Sequence, residues 1–164
     1  MISKTIQDGI NEQIRNEIQS AYLYLAMSAH CEAVNFAGSA HWLRAQWGEE
    51  LEHAMKLYRY VYDRGGRVTF QAIEKPPSEF PSLMGIFQQV LAHEQKVTAL
   101  INSLYATAIK ENDYASQIEL QWFVKEQIEE EKNASAIIEI LKLAGESGPS
   151  LLMLDRQLGA RAKG

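Results

Sequence analysis

The chain has 164 residues, 46% of them hydrophobic and 23% charged, and its formal net charge is −5. This composition is ordinary for a globular protein, and the length is sufficient for one domain with a substantial core. The scattered lysines and arginines argue against a nucleic-acid partner, because nucleic-acid-binding proteins normally carry a basic stripe or tail.

Apolar residues recur at steps of three and four along the whole chain, which predicts helices and no strands. The first helix is expected at about 5–31, and the second at about 38–64, where glycines 65 and 66 stop it. The third is expected at about 82–110, and the fourth runs from the turn at 111–113 to about 143. A short fifth helix at about 149–159 begins with a proline, which suits the first helical position.

The link between helices two and three decides the topology. It runs from Gly65 to Pro81, and in extended form it reaches roughly 55 Å at ~3.3 Å per residue. A helix of 28 residues is about 42 Å long, so the link can return along the full bundle and set helices two and three parallel. The sequence therefore predicts an all-α fold, a four-helix bundle with one long crossover, with residues 1–164 forming a single domain.

Each of the four long helices carries a glutamate at a core position close to its own midpoint. Helices of similar length packed side by side place their midpoints at one level, so the four carboxylates are expected to form one layer. An imidazole lies one turn beyond the glutamate of the second helix, and an amide lies one turn before that of the fourth. In chain order the six residues are Glu17, Glu50, His53, Glu94, Gln127 and Glu130.

This layer predicts a metal centre, because burying an ionised carboxylate costs several kcal/mol unless a countercharge is supplied. None of the four apolar stripes carries a lysine or arginine at a core position. Two divalent ions would balance four carboxylates. Oxygen-rich ligands with one imidazole suit iron or manganese, and a bridging carboxylate would hold two ions about 3.5–4 Å apart. Redox-inert divalent ions also fit this set of carboxylate and imidazole ligands. Tyr24 lies two turns after Glu17 on the same face, and its position suits three alternative roles. It could pack in the core, hydrogen-bond a metal ligand, or donate an electron.

The segments that carry these residues resemble the non-haem ferritins of bacteria and archaea. They are Glu17 with Tyr24, "EELEHA" at 49–54, Glu94 in "HEQ", and "EQIEEE" at 126–131. The resemblance extends to "RGGRV" at 64–68, "EKPPSEF" at 74–80 and "LDRQLG" at 154–159. Of the two Glu-x-x-His motifs common in di-iron bundles, only Glu50–His53 is present, which is typical of ferritins rather than bacterioferritins. Glu52 stands where bacterioferritins have the haem-ligating methionine, so no haem is expected.

The resemblance implies an iron-storage protein with ferroxidase activity. Glu17, Glu50 and His53 would hold one iron, and Glu50 would bridge to a second held by Glu94 and Glu130, with Gln127 beside it. Glu49, Glu126 and Glu129, sharing Glu130, match a third iron site, although without the family they would be a solvated acidic face. Fe²⁺ would be oxidised by O₂ or hydrogen peroxide, and Fe³⁺ stored as an oxo-hydroxo mineral in a hollow 24-subunit shell.

The fifth helix suggests a homo-oligomer independently of the resemblance. Its leucines at 151, 152, 154 and 158 have no place in a four-helix core that is already closed. We therefore expect their burial to require another subunit.

Three other functions are compatible with a helical bundle of this size. A rubrerythrin-type oxidase normally adds a cysteine-rich iron site, which the single cysteine excludes. A DNA-coating mini-ferritin is disfavoured by the fifth helix and the lack of a basic tail. A metal-free helical scaffold predicts no response to iron.

The expected location is the cytoplasm. The longest apolar run, Ala21–Met27, is far too short to span a bilayer, so no membrane partner is expected. The N-terminus has no apolar signal core, and the lone Cys31 fits a reducing compartment.

Overall fold

A computed structural model describes residues 1–145 and 148–162 of the chain. Its five helices are α1 (Lys4–Ala33), α2 (Ala37–Asp63), α3 (Leu83–Lys110), α4 (Tyr114–Ala144) and α5 (Gly148–Gly159). The predicted all-α fold is confirmed, and the predicted helix ends agree with these bounds to within two residues. Within the described ranges, no helix combines the length and apolar character needed to cross a membrane.

Side chains just ahead of three long helices fix where those helices begin. Ser3 accepts from the Ile6 amide before α1, and Ser82 accepts from the Gly85 amide before α3. Before α4, Asp113 accepts from the Ser116 amide at 3.1 Å. After α2 the chain turns at Gly65, whose φ of +70° favours glycine.

The crossover between α2 and α3 lies along the length of α1. Three contacts follow one another from the start of α1 to its end. They are Asn11 Nδ2 to the Arg67 carbonyl at 3.1 Å, Gln19 Oε1 to the Glu74 amide at 2.6 Å, and the His30 ring against that of Phe80 at 5.5 Å. Arg64 directly follows the C-terminal end of α2, and it pairs with Asp113 in the α3–α4 turn at 3.0 Å. Helices α2 and α3 therefore end at the same end of the bundle and run parallel, as predicted.

Two apolar clusters make up the core, and the predicted polar layer lies between them. One cluster, near the start of α1, includes Ile10, Leu57, Ile101 and Phe123. The other, near the end of α1, includes Met27, Leu43, Phe87 and Ile137. All four long helices contribute to both clusters, which fixes the level at which the four glutamates meet.

Helix α5 packs against its own chain, and this corrects one expectation. The side chains of Leu154 and Leu158 are only 3% and 6% exposed in the isolated chain, so their burial needs no other subunit. Asp155 explains the docking, because its carboxylate accepts from the amides of Gly38 and Ser39 at 2.9 and 2.7 Å and caps the start of α2. The expectation of an intersubunit role remains a prediction for Leu152, which is 61% exposed.

The close approach of α5 to α2 also explains a glycine. A Cβ atom at position 38 would lie 1.7 Å from the Asp155 carbonyl oxygen. Only glycine therefore allows the two helices to meet here.

Candidate metal centre

The four predicted glutamates and His53 lie together in the middle of the bundle. Each continues the apolar stripe of its helix, as Glu17 does between Ile14 and Ala21, so the helical period turns it inward. Five residues of the layer are each at most 5% exposed: Glu17, Glu50, His53, Glu94 and Glu130. The packing of the two apolar clusters therefore holds a set of ionisable groups out of water.

The first group of ligand atoms comes from Glu17, Glu50 and His53, which offer atoms within 4.8 Å of one another. His53 Nδ1 lies 3.5 Å from Glu50 Oε2, one helical turn away. Gln13 Nε2 donates to Glu17 Oε1 at 2.8 Å. The other oxygen, Glu17 Oε2, is buried and has no hydrogen-bond partner among the described residues. A buried carboxylate oxygen without a donor is a group that a metal ion would satisfy.

The second group comes from His53, Glu126 and Glu130, whose ligand atoms also lie within 4.8 Å of one another. His53 Nε2 is 4.0 Å from Glu126 Oε1, on the side of the ring away from Glu50. Gln46 Nε2 donates to Glu130 Oε2 at 2.9 Å. The single imidazole of the centre therefore faces both groups, one through each ring nitrogen.

Glu94 is held by two predicted site residues. The Tyr24 hydroxyl donates to Glu94 Oε1, and Gln127 Nε2 donates to Glu94 Oε2 at 3.0 Å. The same Gln127 nitrogen lies 3.2 Å from the Glu94 carbonyl oxygen. Tyr24 thus hydrogen-bonds a candidate ligand, which is one of the roles expected from its position.

Burial and mutual repulsion raise the pKa values of the carboxyls in this layer. Burial raises the pKa of Glu17 and of Glu50 well above the ordinary value, and the neighbouring carboxylates raise both further. Burial, followed by the charge of Glu94, raises the pKa of Glu130 to about 7. Carboxyls with raised pKa values hold protons near neutral pH, and bound cations would displace these protons.

The four residues of the predicted third iron site are only partly brought together. Glu126 and Glu130 share the second group with His53. Glu49 instead pairs with Arg161, whose Nη2 is 2.7 Å from Glu49 Oε2, and Glu129 is exposed on the surface of α4.

A cleft of about 640 Å³ opens beside the second group of ligands. Its walls include His53, Glu49 and Glu126, together with the rings of Trp47 and Trp122. The cleft connects the surface of the chain with the outer edge of the layer.

Three residues of this neighbourhood were missed by the sequence reasoning. Gln13 and Gln46 each stand one turn before a buried glutamate, on the same helical face, so their spacing from Glu17 and Glu50 could have revealed them. Arg161 lies beyond the last predicted helix, and no periodic signal reaches it.

Comparison with known proteins gives one consistent result. Residues 7–144 match the ferritin-like domain of the ferritin family. The chain is 40% identical over 161 residues to a bacterial non-heme ferritin of Bacteroides fragilis, covering 98% of this chain and 100% of the relative. It is 39% identical over 158 residues to that of Escherichia coli, covering 96% of each chain. A solved open pore ferritin from Archaeoglobus fulgidus superposes with a TM-score of 0.98 at 45% identity, covering 99% of this chain and 100% of that one.

Proposed function

This chain belongs to the ferritin family, and on that premise we propose that it stores iron by oxidising Fe²⁺ at the buried carboxylate layer. The Fe³⁺ is kept as an oxo-hydroxo mineral inside a hollow homo-oligomeric shell. One observation carries the proposal. Acidic side chains from all four long helices meet in a dry layer where Glu17 Oε2 finds no donor among the described residues.

Two Fe²⁺ ions bind in this layer as substrates. Glu17, Glu50 and His53 hold the first ion, and Glu94 and Glu130 hold the second, with Glu50 as the bridge. The four carboxylates balance the charge of the two ions. This removes the repulsion that otherwise raises the carboxyl pKa values, and the displaced protons leave on binding.

Oxidation draws one electron from each ion. Two electrons reduce O₂ to hydrogen peroxide, or reduce hydrogen peroxide to water, with protons taken up in either case. A bridging carboxylate that keeps the ions about 3.5–4 Å apart lets both electrons pass to one oxidant molecule.

Tyr24 and Gln127 position the second ion. Both donate to Glu94, so they fix where its carboxylate points. Burial and the nearby carboxylates raise the pKa of the Tyr24 hydroxyl, which keeps it protonated as a donor. Its place beside the iron pair also suits it to supply an electron.

The outer acids provide a third position for iron. Glu126 and Glu130 already lie together, and Glu49 and Glu129 join them when an ion enters through the cleft. No haem takes part, since Glu52 occupies the position of the haem-ligating methionine.

Aerobic iron loading, followed by measurement of the particle mass, tests this function. Twenty-four copies of an 18.5-kDa chain give a shell of about 440 kDa before iron is added. Fe²⁺ in air should produce absorbance near the ultraviolet edge and increase the particle mass. Glu50→Ala and His53→Ala should slow the initial phase at least about tenfold, because each removes a ligand, whereas Glu139→Ala, at an exposed glutamate outside the cleft, should not. Wild-type rates in both ligand variants would show that oxidation takes place elsewhere.

A further inference from the structure

Arg161, two residues beyond the end of α5, folds back onto α2. Its Nη2 donates to both oxygens of Glu49, at 2.9 and 2.7 Å. The guanidinium stacks 4.7 Å from the centre of the Trp42 ring, and the Arg161 carbonyl accepts from His41 Nε2 at 2.8 Å. The end of the chain is therefore held in place by side-chain and backbone contacts together.

The same guanidinium reaches the buried layer through one amide. Arg161 Nη1 donates to Gln46 Oε1 at 2.6 Å, and Gln46 Nε2 donates to Glu130 Oε2 at 2.9 Å. Arginine has only donors, so it fixes the orientation of the Gln46 amide, with the oxygen towards Arg161 and the nitrogen towards Glu130. A hydrogen-bond chain thus runs from the C-terminal segment to a candidate metal ligand.

The Arg161–Glu49 pair is partly shielded from water. The two side chains are 20% and 27% exposed, so salt and water screen their attraction less than they screen an ordinary surface pair. A guanidinium keeps its charge throughout the physiological pH range. Arg161 therefore supplies a permanent positive charge at the outer edge of the acidic layer.

We propose that Arg161 is a positioning residue that acts as a built-in counter-cation for the outer ion position. In the metal-free protein its guanidinium is hydrogen-bonded to both oxygens of Glu49. These bonds must break before the Glu49 carboxylate can bind an incoming divalent cation. The inference rests on the proposed function, since it concerns how ions share the same acidic layer.

The geometry of the cleft explains why this displacement matters. Glu49 and Glu126 both line the cleft, and Glu126 already faces His53. An ion held by Glu126 and Glu130 gains Glu49 only when Glu49 gives up both of its hydrogen bonds to Arg161. When the whole guanidinium moves away, its separate hydrogen bond to Gln46 also breaks, and the amide that holds Glu130 is then free to turn. The outer ion is therefore bound more weakly than the Glu49 carboxylate alone would allow, which favours its onward movement.

Anaerobic calorimetric titration of the metal-free assembled protein with Zn²⁺, a redox-inert probe, tests the proposal. Arg161→Gln should bind the outer, weaker class of Zn²⁺ about tenfold more tightly, because the competing hydrogen bonds to the Glu49 carboxylate are lost. Tenfold corresponds to about 1.4 kcal/mol. Arg161→Lys keeps the charge but loses the guanidinium fork and its stacking on Trp42, so its outer affinity should fall between those of the wild type and Arg161→Gln. Arg156→Gln, at an exposed arginine within α5, is the matched control and should leave both classes unchanged.

Glu49 supplies the internal check. In a Glu49→Gln background, Arg161→Gln should no longer change the outer class, because the carboxylate for which ion and guanidinium compete is gone. A merely structural role for Arg161 would persist in that background.

The outcomes separate the two levels of the argument. If Arg161→Gln keeps the tight inner class of Zn²⁺ but binds the outer class no more tightly than the wild type, this inference alone is overturned. If the wild type shows no tight inner class of Zn²⁺ at all, the proposed function is overturned as well. A Zn²⁺-soaked crystal of the wild type gives a test that needs no variant. Outer Zn²⁺ bound to Glu49 with Arg161 displaced supports the proposal, and outer Zn²⁺ with the Arg161–Glu49 pair intact refutes it.

Discussion

Replacing Glu130 by glutamine should stabilise the metal-free protein at neutral pH. The pKa of Glu130 is raised from 4.5 to about 7, so between these values the folded state binds a proton that the unfolded state has lost. Stability conferred by this group is therefore fully present below pH 4.5 and is lost as pH rises through 7. Glutamine is neutral at every pH, and its side-chain oxygen can still accept from Gln46.

The size of the effect follows from the pKa shift. A change from 4.5 to about 7 corresponds to about 3 kcal/mol, and 1 kcal/mol moves the unfolding midpoint of a chain of this length by about 2–4 °C. At pH 7.5, in chelator, Glu130→Gln should thus unfold about 6–12 °C above the wild type. The difference should shrink towards pH 4.5.

Calorimetry at a fixed scan rate over a pH series gives the assay, with exposed Glu52→Gln as the control that should show no such trend. Adding Zn²⁺ should reverse the order, because bound ions stabilise the folded wild type by a free energy that grows with the logarithm of their affinity. A Glu130→Gln midpoint at or below that of the wild type at pH 7.5, without metal, would refute the view that the layer is electrostatically unfavourable when empty.

Three further predictions concern other parts of the molecule. Tyr24→Phe removes the hydroxyl that donates to Glu94, so stopped-flow measurements should show initial Fe²⁺ oxidation slowed several-fold with the same particle mass; an unchanged rate would mean that Glu94 needs no such donor. Asp155→Ala removes the cap of α2 and should lower the unfolding midpoint by about 2–8 °C, from a cap worth ~1–2 kcal/mol; Asp155→Asn should restore part of the loss. Burial raises the pKa of Cys31 to about 12, so the thiol should resist iodoacetamide at pH 8 until denaturant is added, and rapid labelling of the folded protein would contradict its burial.

The bundle and the acidic layer could be predicted because both follow from one helical period. Glu17 falls where an apolar residue belongs, and its distance from the helix ends sets its level in the bundle. The same reasoning placed Glu50, Glu94 and Glu130 at that level without any knowledge of side-chain contacts.

The outer edge of the centre could not be predicted in the same way. Arg161 reaches Glu49 only because α5 folds back onto α2, and that contact depends on Asp155 finding the free amides of Gly38 and Ser39. These partners are more than a hundred residues apart in the chain, and their pairing leaves no periodic trace. The misjudged burial of Leu154 and Leu158 has the same cause.

The division of the core into two apolar clusters bears on what a container for ions has to survive. A zinc finger unfolds when it is emptied, since its metal is its core. Here the apolar contacts lie on either side of the charged layer, and they form without any bound ion. The fold should accordingly stay intact through repeated binding and release of ions, with only the carboxylate rotamers and the bound protons changing from one cycle to the next.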